Sequence, residues 1–155
     1  MNIEQLLANI EQSESGPQVA ALFDFDGTII SGYSAMVFLR DQLTSGELPA
    51  SEFLELARAL TSFGMGNMGF SAMMTVHAQF LAGRSAEEYM AVSEQLFRKG
   101  IARLIYPESR RLIEAHRAKG HTIAIISSAT PEQVRPAAND LDIAHVYATD
   151  LEVKR

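Results

Sequence analysis

Apolar residues at Ile3, Leu6, Leu7 and Ile10 recur at the spacing of one helix face, and Ser13, Ser15, Gly16 and Pro17 then break the pattern. A short leading helix is predicted. Val19 to Phe23 is a compact apolar run between Pro17 and the turn-forming Asp26-Gly27-Thr28, the form of a strand buried on both faces. From Ser34 to Lys99 the periodicity is helical throughout, with Ser34, Ser51 and Ser85 as candidate N-caps and breaks near 45–50 and 64–69. Ser85-Ala-Glu-Glu88 has the spacing of a capping box. Pro107 opens a further helix through Ala118, which Gly120 closes. Thr122 to Ile126 is a second β-rich apolar run, Thr130-Pro-Glu-Gln133 again has capping-box spacing, and Ala144 to Ala148 suits a third strand.

The order is strand, helical block, helix, strand, helix, strand. Alternation of strands with helices implies a parallel sheet, and several consecutive helices after the first strand imply a separate helical lobe. The predicted fold is therefore α/β, a Rossmann-like parallel sheet core over residues 1–32 and 104–155, with an inserted α-helical cap over 33–103. No internal repeat or low-complexity tract interrupts this order.

Composition narrows the classes of function. A chain of 155 residues suits one ordinary domain with a real core, burying roughly 70% of the surface its unfolded chain exposes. Its 47% hydrophobic and 21% charged content is that of a globular protein. No apolar run approaches the roughly 20 residues of a spanning helix, and the opening MNIEQLLANIEQ lacks the features of a signal peptide, so a cytoplasmic location is expected. With no cysteine, disulfides, thiolate catalysis and cysteine zinc sites are excluded, and oxygen ligands would favour magnesium or calcium. The net charge of −6, with Lys and Arg dispersed, argues against a nucleic-acid partner. A small phosphorylated substrate remains compatible, because a helix N-terminus binds anions without net positive charge.

Asp24-Phe-Asp26-Gly27-Thr28 lies at the carboxyl end of the first predicted strand, where ligands bind in open α/β sheets. If the strand continues, the carboxylates of Asp24 and Asp26 point to one side. Close like charges raise the pKa of one member, so one Asp can remain an ionised nucleophile and metal ligand while the other carries a proton as general acid. Gly27 allows a tight turn that would aim its N–H at a phosphate. Ser128 ends the second strand and precedes a helix capped by Thr130, so a hydroxyl and a helix N-terminus would face the carboxylate pair.

Other patterns weigh less. Gly64-Met-Gly66-Asn-Met-Gly69 spells a dinucleotide fingerprint, but the segment before it, Glu52 to Phe63, has helical rather than strand periodicity. The cluster Phe63, Met65, Met68, Phe70, Met73 and Met74 reads first as packing within the helical lobe and second as an apolar pocket for a lipid-like substrate. A calcium loop fails because the Gly falls at the wrong place and its twelfth position is Ala35.

DFDGT after an apolar strand resembles the first motif of the haloacid dehalogenase (HAD) superfamily, and IISSAT resembles the second, a Ser or Thr ending an apolar strand. The helical block between them is similar to the cap of the branch that includes phosphoserine phosphatases, and YATDLEV resembles the segment following that branch's third strand. The resemblance implies a phosphomonoester hydrolase in which Asp24 attacks phosphorus to form an aspartyl phosphate, while Asp26 protonates the leaving oxygen and then activates water. It implies Mg²⁺ held by the Asp24 carboxylate and the Asp26 backbone carbonyl, and phosphate contacts from Phe25, Gly27, Thr28, Ser128 and Ala129. Ser128 is preferred over Ser127 because Ser128-Ala-Thr-Pro matches the family's small-residue turn.

Two departures qualify that picture. The family's later Lys and its further Asp pair do not occur in these residues, and Lys154 stands in the wrong place, just after the third strand. Where phosphoserine phosphatases carry a Glu and an Arg that grip the amino acid, Tyr33 and, by loose alignment, His77 stand here. A substrate other than phosphoserine is therefore expected, with Tyr33 and His77 as its selecting residues. The alternative is a truncated or degenerate phosphatase-like module that binds phosphate or a partner without turnover, or the front of a lipid-phosphate or acyltransferase fusion. These 155 residues taken alone are expected to bind Mg²⁺ weakly, to show no appreciable turnover, and to self-associate through an unpaired edge at residues 19–23.

Overall fold

A computed structural model describes residues 2–152, so Val153 and Lys154 lie outside the described residues. Helix α1 (Ile3–Gln12) leads into strand β1 (Ala20–Phe23). Four helices follow: α2 (Ser34–Ser45), α3 (Ala50–Gly64), α4 (Phe70–Leu81) and α5 (Ala86–Lys99). A short 3₁₀ turn (Ile101–Leu104), α6 (Pro107–Ala118), β2 (Thr122–Ile126), α7 (Pro131–Asp140) and β3 (His145–Tyr147) complete the chain. The breaks expected near 45–50 and 64–69 separate α2 from α3 and α3 from α4, and the Ser85 hydroxyl caps α5 by accepting the Glu88 N–H.

The three strands are parallel in the order β1-β2-β3, with Ala20 opposite Thr122, Phe23 opposite Ile125, and Ile126 opposite Tyr147. Both crossovers carry the chain the same way across the sheet. In the right-handed sense that such connections take, α6 and α7 therefore cover the same face. The register puts Leu22, Ala124, Ile126 and Tyr147 on the opposite face, because paired residues share a side and alternate residues along a strand return to it. Leu22 is 62% exposed, Ile126 48% and Tyr147 61%. The unbroken apolar run at 19–23 suggested burial on both faces. Contrary to that expectation, among the described residues one face of β1 is covered, and β1 is an edge strand.

Two apolar clusters organise the interior. The larger joins the sheet (Ile125) to α6 (Ile113) and α7 (Val134, Ala137), and it takes in Tyr89, Leu96 and Phe97 of α5. The smaller is built on Leu39, Leu56 and Met73 of α2, α3 and α4. Helix α5 thus packs onto the sheet core, although it is continuous in sequence with the helical block. Helix α2 serves both clusters, Phe38 facing one and Leu39 the other. The Gly64–Gly69 stretch joins two helices and follows no strand.

Candidate active site

β1 ends at Phe23, and Phe25 to Thr28 fold into a turn that brings the Ile29 and Ile30 N–H groups to the Phe25 carbonyl, at 3.0 and 3.1 Å. Gly27 (φ 75°) and Gly32 (φ 78°) take the left-handed conformation that this reversal requires. The Gly27 N–H donates to the Gly32 carbonyl at 2.8 Å. It therefore closes the turn and does not present itself to a ligand, contrary to the expectation from sequence.

The two aspartates stand in unlike surroundings, because the strand that would have aligned them has ended. Asp24 is exposed, and its Oδ1 accepts the N–H of Phe25 at 2.8 Å. Asp26 is 9% exposed. Its Oδ1 accepts the Ser34 N–H at 2.7 Å, and its Oδ2 accepts the Ser34 hydroxyl at 3.2 Å. Burial pushes the Asp26 carboxyl above the usual carboxylate range; the Ser34 hydrogen bonds oppose this and the nearby Asp24 charge adds to it.

Ser34 is the residue that sequence reasoning misread. It was expected to cap α2, but Tyr33 occupies the N-cap and offers no side-chain bond. The free N–H groups at the start of α2 are met in part by Asp26, a carboxylate arriving from the preceding turn. The available signal was a polar first turn lying eight residues after a carboxylate.

The register puts Asp24 level with Ile126, so the loops leaving β1 and β2 emerge side by side at the carboxyl end of the sheet. The two serines there differ. The Ser127 N–H donates to the Tyr147 carbonyl at 2.9 Å and its hydroxyl accepts the Ala129 N–H at 3.1 Å, while the Thr149 N–H reaches the Ala129 carbonyl at 2.9 Å. Ser128 is exposed, and its hydroxyl takes part in none of the hydrogen bonds among the described residues. The backbone N–H groups of Phe25, Thr28 and Ala129 are all engaged within the chain, at 2.8, 3.3 and 3.1 Å. Side chains on Asp24 and Ser128, rather than those amides, are what the mouth offers.

Tyr33 and His77 are placed apart. Tyr33 is 39% exposed and packs against Phe63 and Phe70 at ring separations of 5.7 and 5.0 Å. Its backbone adjoins the Ser34 nitrogen that holds Asp26. His77 is 2% exposed, its Nε2 lies 3.1 Å from the Tyr89 hydroxyl, and its ring meets Phe38 edge-on. Burial lowers its pKa to about 4, so it is neutral at neutral pH. His77 does not open onto the mouth.

The oxygen donors can be compared with what a hard cation needs. Asp24 Oδ2 and the Asp26 carbonyl end no hydrogen bond among the described residues. One carboxylate and one carbonyl fit Mg²⁺ in kind, since that ion is commonly held by one or two carboxylates and retains several waters. Among the described residues no three His, Asp or Glu side chains converge into a larger cage.

Residues 21–155 match the profile of the haloacid dehalogenase-like hydrolase family. Over 145 residues, 92% of this chain and 52% of the relative, the chain is 28% identical to the "inhibition of morphological differentiation protein" of Streptomyces azureus. A Mycobacterium tuberculosis protein named "probable phosphatase" is 26% identical over 140 residues, 88% of this chain and 49% of its own. The chain therefore spans about half the length of the curated relatives it matches. Among solved structures, a Bordetella pertussis protein of unknown function superposes with a TM-score of 0.72 at 21% identity, covering 92% of this chain and 63% of that one, which shows a shared fold.

Proposed function

Since the chain belongs to the haloacid dehalogenase-like hydrolase family, we propose that the protein containing it hydrolyses phosphomonoesters through a phosphorylated Asp24, with Mg²⁺ bound at that carboxylate. The observation that carries the reading is the unlike pair: an exposed Asp24 beside an Asp26 whose buried carboxyl is biased toward its protonated form. The name of the Mycobacterium relative points the same way.

In this reading a carboxylate oxygen of Asp24 attacks phosphorus as the bond to the leaving oxygen breaks, and the proton on Asp26 passes to that oxygen. Asp26, now ionised, takes a proton from the water that attacks the acyl phosphate, releasing phosphate and restoring both residues. The Ser128 hydroxyl donates to an oxygen of the transferring group. Mg²⁺, when held by Asp24 Oδ2 and the Asp26 carbonyl, supplies charge neutralisation for the phosphoryl oxygens. The test is release of phosphate from a panel of phosphomonoesters with Mg²⁺ and after chelation. Hydrolysis that survives chelation undiminished would refute the metal assignment.

Tyr33 brings an aromatic surface, with Phe63 and Phe70, to the position where an amino-acid grip would otherwise stand. Phosphoserine is accordingly expected to rank below other phosphomonoesters in kcat/KM. A panel in which phosphoserine is clearly the best substrate would overturn that expectation.

The β1 edge and the apolar face of Leu22, Ile126 and Tyr147 support self-association of these residues when produced alone. Sedimentation is expected to show a weight-average mass above the 17.0 kDa of one chain, rising with concentration, and Leu22→Lys should lower it. A monomer throughout the range tested would remove the proposal.

A further inference from the structure

Asp26 is one end of a line of buried hydrogen bonds that crosses four segments of the chain. Its Oδ2 meets the Ser34 hydroxyl, and Ser34 Oγ lies 3.2 Å from Nε2 of Gln133 on α7. The Gln133 Oε1 is 2.9 Å from the N–H of Thr130, whose own Oγ1 is 2.9 Å from the Tyr89 hydroxyl on α5. Ser34, Gln133 and Thr130 are 0%, 1% and 2% exposed, and no buried side-chain polar atom among the described residues lacks a partner.

The direction of each bond follows from which groups can only donate. A backbone N–H cannot accept, so the Gln133 atom facing Thr130 is its oxygen, and its NH₂ must face Ser34. The Ser34 oxygen accepts from that NH₂. Its single proton is then directed to Asp26 Oδ2, while the Ser34 N–H holds Oδ1. Both carboxylate oxygens are fixed, and each keeps a second lone pair for the proton it handles.

We propose that Gln133 is a positioning residue for Asp26: its amide orients the Ser34 hydroxyl, and Ser34 in turn holds the carboxylate at the mouth of the site. The inference rests on the acid–base role given to Asp26 above. Its rival is a purely structural role, because the bond between Gln133 Oε1 and the Thr130 N–H is also half of a capping box for α7.

Two variants separate these roles. Gln133→Glu keeps an oxygen for the Thr130 N–H but has no N–H for Ser34, and it draws the Ser34 proton away from Asp26. Gln133→Met loses both bonds. Hydrogen exchange at the Ser34 amide, followed by NMR in the intact chain, reads the bond to Asp26 Oδ1 without any need for turnover. With a positioning role, both variants should accelerate exchange at Ser34 by about tenfold, the local loss of one buried hydrogen bond, with the amides of β1 and β2 unchanged. In the protein's hydrolysis, kcat should fall by about tenfold or more with KM nearly constant, as misplacement of a reacting group does. If Gln133→Glu leaves Ser34 exchange at the wild-type rate, or accelerates it only in step with the strand amides, Gln133 is a cap and the proposal falls. Faster exchange with unchanged kcat overturns it equally. Turnover that persists in Asp24→Asn would instead overturn the catalytic reading, a failure distinct from either of these.

Discussion

Replacement of Asp24 by Asn is expected to reduce phosphomonoester hydrolysis by several orders of magnitude while leaving the fold intact. An amide oxygen is too poor a nucleophile to form the acyl phosphate, and the neighbouring Asp26, unlike the exposed Asp24, is buried and held by Ser34. Folding should be insensitive. Asp24 is exposed, and Asn retains an Oδ1 for the Phe25 N–H, so a stability change within about 0.5 kcal/mol is expected. Steady-state rates of wild type and variant, compared with their thermal unfolding, decide the matter. Turnover near the wild-type rate with a normal melting temperature would remove Asp24 from the nucleophile's role.

Ser128→Ala should cost about 10²–10³-fold in kcat, the loss seen when one preorganised donor to a developing charge is deleted. Because the Ser128 hydroxyl is exposed and has no bond within the described chain, its removal should leave stability unchanged. Ser127→Ala should behave in the opposite way. Its hydroxyl accepts the Ala129 N–H, so truncation should destabilise the protein by about 1 kcal/mol while reducing the rate much less. The pair is informative because each residue serves as control for the other. Should Ser127→Ala prove the slower enzyme and Ser128→Ala be unaffected, the phosphate contact belongs to Ser127.

Much of the scaffold was legible because its signals are local. Thr122–Ile126 and Pro107–Ala118 have the limits that apolar runs, a leading proline and a closing glycine suggest. The cap of α5 follows from Ser85 and the residues after it. At the candidate site the residues could be nominated from sequence, but their geometry could not. Asp24 and Asp26 were expected on one side of a continuing strand, yet the strand stops at Phe23 and the turn sends one carboxylate outward and buries the other. What reverses the chain there is a set of backbone bonds to the Phe25 carbonyl, which no side-chain pattern announces.

The roles of Ser34 and Gln133 were hidden for a different reason. Both are polar residues in first helical turns, where capping is the default reading, and their shared bond joins residues 99 apart in sequence: Gln133 on α7 reaches Ser34 on α2. The assignment of α5 to the sheet core was hidden likewise. Its apolar face has ordinary helical spacing, and only the fold decides whether that face meets α4 or α7. For β1, a run of apolar side chains does not reveal whether both faces will be covered.

The pairing of Ala20 with Thr122 also bears on when the site can exist. At the synthesis rates of about 5–20 residues per second typical of ribosomes, β1 emerges roughly 5–20 seconds before the strand it pairs with. Over that interval the chain can complete only its local contacts, and α2, α3 and α4 have a shared apolar cluster of their own to close. Closure of the long loop then carries little additional entropic cost, because most of it is already compact helix. The helical lobe is therefore expected to close first, and the Asp24–Asp26 turn to meet the Ser128 loop and Gln133 only when β2 arrives.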